Sequence, residues 1–204
     1  MSDQAETPRR FGWWRVVGAF GLACLLLASG LGGYVGWLLW GTGIQTAHAQ
    51  TQLRLEFHPG HRTGSHPVVP PLPGNVYAEI QIPSIGVDAM VVQGTDSASL
   101  KKGPGHYLDT ANPWDPTGRV GIAGHRTTYL HPFYSLDRVR AGDSISLRTA
   151  NGTYEYRVTR VFVIPSVGSG VVLFQSSNPT LVLTTCNPRF SSSQRLIVTA
   201  DRIG

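Results

Sequence analysis

Two different rules place the apolar residues of this chain. From Val16 to Trp40 (VVGAFGLACLLLASGLGGYVGWLLW) 25 residues pass without a charge. About 20 residues of helix cross a bilayer core, so the stretch predicts a transmembrane helix over residues 16–40. Membrane helices tolerate its glycines, and Trp13, Trp14, Trp37 and Trp40 bracket it as interfacial aromatics do.

From Val76 onward the rule is alternation. VYAEIQI puts Val76, Ala78, Ile80 and Ile82 on one face, and DAMVVQG follows closely. RVGIAG, DSISLRT, TYEYRVTRVFVIP, PTLVLTTC and QRLIVTADRI bring the total to about seven or eight short strands, separated by turn signals such as Asn151-Gly152. HPFYSLDRV predicts one short helix, with Pro132 near its first turn and Gly142-Asp143 beyond its end. Strands dominate and βαβ alternation is absent. The pattern predicts an all-β domain over residues 75–204, either an antiparallel sandwich or a closed barrel.

Residues 41–74 follow neither period. HPGHRTGSHPVVPPLPG holds five prolines and three glycines, the composition of a stiff, extended linker. His58, His61 and His66 read as solvated tether residues, because no Cys or carboxylate cluster at ligand spacing accompanies them. Asp88, Asp96, Asp109 and Asp115 are equally dispersed, so no metal site and no cofactor are expected.

Composition and charge sharpen this layout. Of 204 residues 41% are hydrophobic and 14% charged, which excludes a disordered polyelectrolyte. The net charge of +5 suggests nucleic acid only until it is mapped. Lys and Arg are scattered, with no run longer than Arg9-Arg10 or Lys101-Lys102, so no nucleic-acid partner is expected. Arg9, Arg10 and Arg15 precede the apolar stretch, and the next charge after it is Arg54. The positive-inside rule then makes residues 1–15 a cytoplasmic stub and places everything after about residue 41 outside the cell membrane. Ala47-His48-Ala49 offers an A-x-A-like cleavage site. A signal h-region usually spans only about 7–15 residues, which favours a retained single-pass anchor.

Candidate chemistry starts at Cys186, the one cysteine of the exported domain; Cys24 lies in the membrane stretch and reads as a small apolar filler. Cys186 ends a strand ahead of Asn187-Pro188, with Val182 and Thr184 on its face and Leu181, Leu183 and Thr185 on the other. Seen alone, such a thiol is more often buried and inert than reactive. Ala123-Gly124-His125-Arg126-Thr127 ends the strand RVGIAG, and a strand-end histidine can serve a thiol as base or imidazolium partner. Arg195 begins the strand after Cys186, where a hairpin can return its guanidinium beside the thiol to stabilise an oxyanion.

With these residues the sequence resembles the sortases, membrane-anchored cysteine transpeptidases of Gram-positive bacteria. LVLTTCNPRFSSSQRLIV resembles the family's TLxTC motif and the arginine that follows it. Leu183, Thr185 and Cys186 match, while Val182 stands where the motif's first threonine would be. GPGHYLDTANPWDPTGRVGIAGHRTTYLHPFYSLDRVRAGDSI is similar to the class E sortases of actinobacteria, with AGHRT carrying the family histidine. The resemblance covers roughly residues 74–204. It implies a closed, eight-stranded, antiparallel β-barrel with one or two short helices, and His125, Cys186 and Arg195 as the catalytic trio. It further implies cleavage of a C-terminal LAxTG- or LPxTG-like sorting signal between Thr and Gly through a thioacyl-enzyme. The implied partners are secreted proteins bearing that signal and an amine from a peptidoglycan precursor or a pilin. Thr127, Thr128, Tyr129 and Thr185 are candidates to line the signal's site.

Other readings stay open at this point. An L,D-transpeptidase is also an exported β-rich cysteine enzyme, but its cysteine follows a glycine in an S-x-G-C context. A papain-like peptidase needs a helix-borne cysteine, and an anchored cell-wall-binding barrel needs no reactive thiol. Pro113-Trp114-Asp115-Pro116 falls inside the domain as a loop rather than ahead of it as a lid, which disfavours pilus assembly.

Overall fold

The computed structural model describes residues 12–37, 41–59 and 70–203. The chain divides into two compact units, residues 1–38 and 39–204. In the first, α1 (Trp13–Gly36) buries none of its residues and carries a single charge, Arg15. A helix apolar all round has no polar face to turn to water, and α1 is long and apolar enough to cross a membrane. Trp40, expected to bracket it, lies outside the described residues.

The second unit begins with a correction. Residues 41–74 read as linker, yet a helix, α2 (Thr42–Glu56), occupies the first part. The prolines that suggested an extended chain start only at Pro59; Thr42–Glu56 has none. The helix escapes an apolar-period search because its inner face is polar. Thr42, Thr46, Gln50 and Leu53 recur at helical spacing, and of the buried residues only Leu53 is apolar. Leu53 packs with Met90 and Val92, while Thr46 Oγ1 donates to Lys101 O at 2.8 Å. Gln50 brackets Met90, accepting from its N–H (2.7 Å) and donating to its carbonyl (2.9 Å). Arg54 reaches Glu79 at 2.9 Å and Asp88 at 2.6 Å, and Arg148 completes the charge balance of the buried Glu79 at 2.7 Å. The candidate cleavage site Ala47–Ala49 sits inside α2. His58 is exposed, whereas His61 and His66 lie outside the described residues.

Eight strands close the barrel: β1 (Val76–Ile82), β2 (Val87–Gln93), β3 (Gly105–His106), β4 (Arg119–Ala123), β5 (Ser144–Thr149), β6 (Gly152–Pro165), β7 (Thr180–Asn187) and β8 (Gln194–Ile203). Around the wall they run β1-β2-β3-β4-β7-β8-β6-β5. Seven fall on the predicted strand segments, β1, β2, β4 and β7 with runs of consecutive buried residues and β5 with clean alternation; β3, two residues long, is too short to show a period. The barrel is mixed, not antiparallel as expected, because β2/β3 and β4/β7 pair in parallel. Alternation reports which face a side chain takes but not strand direction. Parallel neighbours need a crossover: β2 reaches β3 through α3 (Ser97–Leu100), capped by Asp96, and β4 reaches β7 by way of β5 and β6.

The helix expected over HPFYSLDRV shrinks to a 3₁₀ turn at Leu136–Arg138. Tyr129, Leu130 and His131 just before it are left-handed (φ 53°, 58° and 38°), so no right-handed helix can begin there. Phe133 and Leu136 instead plug this segment into the core, both fully buried.

Candidate active site

Strand β7 lies between β4 and β8, and its register with each decides what meets at its end. Val120 and Ile122 of β4, Leu181 and Leu183 of β7, and Leu196 and Val198 of β8 all point into the barrel core. By alternation their neighbours Gly121, Ala123, Thr184, Cys186, Arg195 and Ile197 share the outer face. In the antiparallel β7/β8 pair, Cys186 stands directly opposite Arg195. The parallel β4/β7 pair ends with Ala123 opposite Thr184. Two further residues in that register bring His125 level with Cys186. The strands have not yet separated there: Gly124 N donates to Thr184 O at 3.1 Å, and Thr185 Oγ1 to Gly124 O at 2.7 Å. Cys186 and Arg195 thus stand opposite each other at one end of β7 and β8, and His125 follows two residues beyond the end of β4 at the same rim.

The surroundings give each side chain a chemical character. Cys186 is half-buried and unpaired, as is its exposed counterpart Cys24 on α1. His125 is also half-buried, with its ring 4.8 Å from that of Tyr129. Burial holds its imidazole below the ordinary histidine range, so it is neutral at neutral pH and able to accept a proton. Arg195 Nη1 donates to Ser192 O (2.9 Å) and Gln194 O (3.0 Å), two bonds that hold the fork against the backbone of the β7–β8 hairpin while using one of its three nitrogens. A half-buried thiol, a neutral imidazole and an oriented guanidinium can carry out acyl transfer: nucleophile, proton acceptor and oxyanion donor.

One residue of the site is not anticipated from sequence. Arg126, beside the candidate histidine, is 4% exposed. Its Nη1 donates to the Cys186 carbonyl at 3.3 Å and to Asn187 Oδ1, and its Nη2 pairs with Asp137 Oδ2 at 3.3 Å. Asp137 also takes Arg189 at 2.9 Å, whose guanidinium lies 4.4 Å over the Tyr134 ring. A buried arginine so engaged holds the backbone of the nucleophile. The available signal was Asp137, the acid within HPFYSLDRV, but pairing across eleven residues of irregular chain has no period.

Of the four residues expected to line a substrate site, Thr185 is placed elsewhere. It faces inward, 3% exposed, with its hydroxyl committed to Gly124. It ties the cysteine strand to the histidine strand rather than meeting a ligand. Thr127, Thr128 and Tyr129 are half-buried in the turn after His125. Beyond Tyr129, a cleft of about 480 Å³ opens between α2, the start of β2 and residues 129–135; neither Cys186 nor Arg195 lines it. Among the described residues no group of three or more His, Cys, Asp or Glu side chains is placed to hold a metal ion.

Comparison with known proteins gives a consistent result. The sortase domain family model matches residues 80–203. Sortase SrtE1 of Streptomyces coelicolor is 31% identical over 185 residues, covering 81% of this chain and 51% of that protein. Sortase D of Bacillus subtilis is 30% identical over 118 residues, covering 58% of each chain. The chain therefore spans between half and three-fifths of the length of these relatives. In three dimensions it is similar to the crystal structure of S. coelicolor sortase E1 with a tripeptide in the active site, at 30% identity and a TM-score of 0.58, over 64% of this chain and 90% of that one.

Proposed function

Because the chain belongs to the sortase family, we propose that it is a cysteine transpeptidase that cleaves a C-terminal LAxTG- or LPxTG-like sorting signal between Thr and Gly and joins the protein to a cell-wall or pilin amine. The observation that supports this reading is the register that sets Cys186 opposite Arg195 and Ala123, two residues before His125, opposite Thr184.

The chemistry follows from their characters. Cys186 Sγ adds to the threonine carbonyl while its proton passes to His125. The oxyanion that forms accepts hydrogen bonds from Arg195. The C–N bond then breaks, the His125 imidazolium protonates the leaving glycine amine, and a thioester to Cys186 remains. An incoming amine adds to that thioester and gives its proton to His125. The C–S bond breaks, and the thiol is reformed as the amide is released. Arg126 acts earlier, holding the Cys186 carbonyl so that the thiol keeps its height above the sheet. The charge pattern favours α1 as a single-pass anchor with a cytoplasmic N-terminus and the barrel outside, where sorting signals and cell-wall precursors pass.

The test uses the full chain in detergent with an LAxTG peptide and a glycine-based amine. Mass spectrometry should find the fragment ending in threonine as a thioester on Cys186, and then as an amide formed at the expense of the free acid. Cys186→Ala should remain folded and form neither. Free acid alone across a range of cell-wall amines would make the protein a peptidase. Cleavage by the Cys186→Ala variant would overturn the mechanism.

A further inference from the structure

We propose that α2 is a positioning element for the catalytic histidine: fastened to the barrel by Thr46, Gln50 and Arg54, it holds with its first turn the left-handed segment Tyr129–His131, and through it the Tyr129 ring against His125. The role of His125 in this statement rests on the function proposed above.

The argument begins with strain. Three consecutive non-glycine residues, Tyr129, Leu130 and His131, have positive φ. Positive φ strains an L-amino acid, and such conformations persist only where neighbours over-determine them. The segment is pinned from one side by the fully buried Phe133, whose N–H donates to His125 O at 3.2 Å, and by His131 N–H to Thr128 O at 2.8 Å. From the other side it meets the beginning of α2. Tyr129 N–H points to Thr42 Oγ1 at 3.5 Å, and a β-carbon at Gly43 would stand in ordinary contact with Leu130 Cδ2, 3.5 Å away. Tyr129 and Leu130 thus meet the core on one side and the first turn of α2 on the other, at the edge of the cleft that separates the rest of the helix from residues 129–135.

The clasp is only as firm as the helix that makes it. α2 buries one apolar side chain and relies on directed bonds. Gln50 makes three of them, to Met90 N, Met90 O and Lys102 O, all between 2.7 and 2.9 Å. Arg54 closes the far end on Glu79 and Asp88. The mechanical path runs from β2 through Gln50 along α2 to Thr42 and Gly43, then to Tyr129 and its 4.8 Å ring contact with His125. Tyr129 forms part of the cover that keeps the imidazole half-buried and depresses its affinity for protons. At this rim the chain also carries Cys186 at the end of β7, Arg195 at the start of β8, and Arg126 next to His125, which is turned to Asp137. None of them is supplied by α2, whereas Tyr129 meets both the first turn of α2 and the His125 ring.

The experiment reads the histidine directly and needs no substrate. Full-length protein carrying ¹³C at the histidine Cε1 positions is titrated by NMR in detergent, and the His125 signal is identified by its loss in His125→Gln. Gln50→Ala should move the His125 midpoint upward, toward the ordinary value of about 6.5. Thr51→Ala, an exposed change on α2, should leave it in place. Tyr129→Ala should raise the midpoint as well, and Gln50→Ala added to Tyr129→Ala should then have no further effect, because the path is already cut. Circular dichroism with a retained melting transition establishes that each variant is folded; should Gln50→Ala unfold, Thr42→Val probes the same clasp. An unmoved midpoint in both α2 variants while Tyr129→Ala shifts it, or full additivity of the pair, overturns the proposal. Absence of peptide transfer alongside the expected shifts would instead count against the transpeptidase reading alone.

Discussion

The bond from Thr185 Oγ1 to Gly124 O joins the strand of the nucleophile to the strand of the base, and Thr185→Val removes it with almost no change of shape. Thr185 is 3% exposed and the bond is 2.7 Å long, so no water replaces the lost hydroxyl and the Gly124 carbonyl is left buried without that donor. Orphaning a buried acceptor costs about 1–3 kcal/mol. For a domain of this size each kcal/mol lowers the melting temperature by roughly 2–4 °C, which predicts a loss of about 2–12 °C. Activity should suffer more than stability suggests. Gly124 immediately precedes His125, and a displacement near 1 Å at a reacting group can cost about 10²-fold in rate. The assays are a thermal melt and the rate of thioester formation with a sorting-signal peptide, for wild type, Thr185→Val and Thr185→Ser. Serine keeps the donor and should retain most of the rate and of the melting temperature. Equal losses in Ser and Val would show that the methyl packing matters as much as the hydrogen bond. An unchanged Val variant would remove Thr185 from the site altogether.

Two further outcomes are expected. Arg195→Lys should lower the cleavage rate by about 10²–10³-fold, since a lysine offers a point charge without the fork that presents one donor to the strand backbone and others to an oxyanion; unchanged turnover would reduce Arg195 to a surface charge. His106 is 1% exposed, ringed by Gln93, Thr110, Tyr77 and the Ala111 carbonyl, and burial lowers its pKa to about 4. Its unfolded-state value of about 6.5 is higher, so the unfolded chain binds the proton first, and stability should be lost as pH falls from 6.5 toward 4. The full effect is about 3 kcal/mol, read as the difference in pH-dependence of urea unfolding between wild type and His106→Gln; parallel curves would refute it.

What the sequence disclosed and what it concealed divide along physical lines. Leu181, Leu183 and Thr185 against Val182, Thr184 and Cys186 were separable by period-two alternation, because a strand with one face in a core must alternate. The face assignment of the strand ends, and with it the common face of Cys186 and Arg195, follows from that. Strand direction carries no such signal, so the β4/β7 parallel pairing was missed, and β3 is shorter than one period. α2 was misread because Gln50, Thr46 and Arg54 fasten it by hydrogen bonds and ion pairs, which leave no apolar stripe. Arg126 was missed for the same reason: its burial is justified by Asp137 and by a backbone carbonyl, neither visible as pattern. Apolar burial is written into the sequence as periodicity, whereas polar docking depends on partners that only the folded chain brings together.

The missed parallel pairing is also what makes the site possible. Side chains at the ends of two adjacent strands emerge at the same edge of a barrel when the strands run the same way and both lead out there. β4 and β7 do so: β4 leaves its last pairing at Ala123 and β7 at Asn187, and their exits deliver His125 and Cys186 together. Had β4 been antiparallel to β7, its histidine-bearing end would lie at the opposite rim, some five residues of strand away, or about 17 Å at 3.3–3.4 Å per residue. β8 runs the other way, so at this rim it begins rather than ends, and Arg195 follows Cys186 by one short hairpin. The nucleophile and the arginine are consequently local in sequence, while the histidine comes from 61 residues earlier, as the bond between Thr185 and Gly124 records. A short hairpin can hold Cys186 and Arg195 in register by itself. His125 has no local partner in the trio, and its place depends on the β4/β7 ladder, the Thr185 tie, and the turn that Tyr129 begins. The tolerance of the site to mutation should therefore be least on the histidine side.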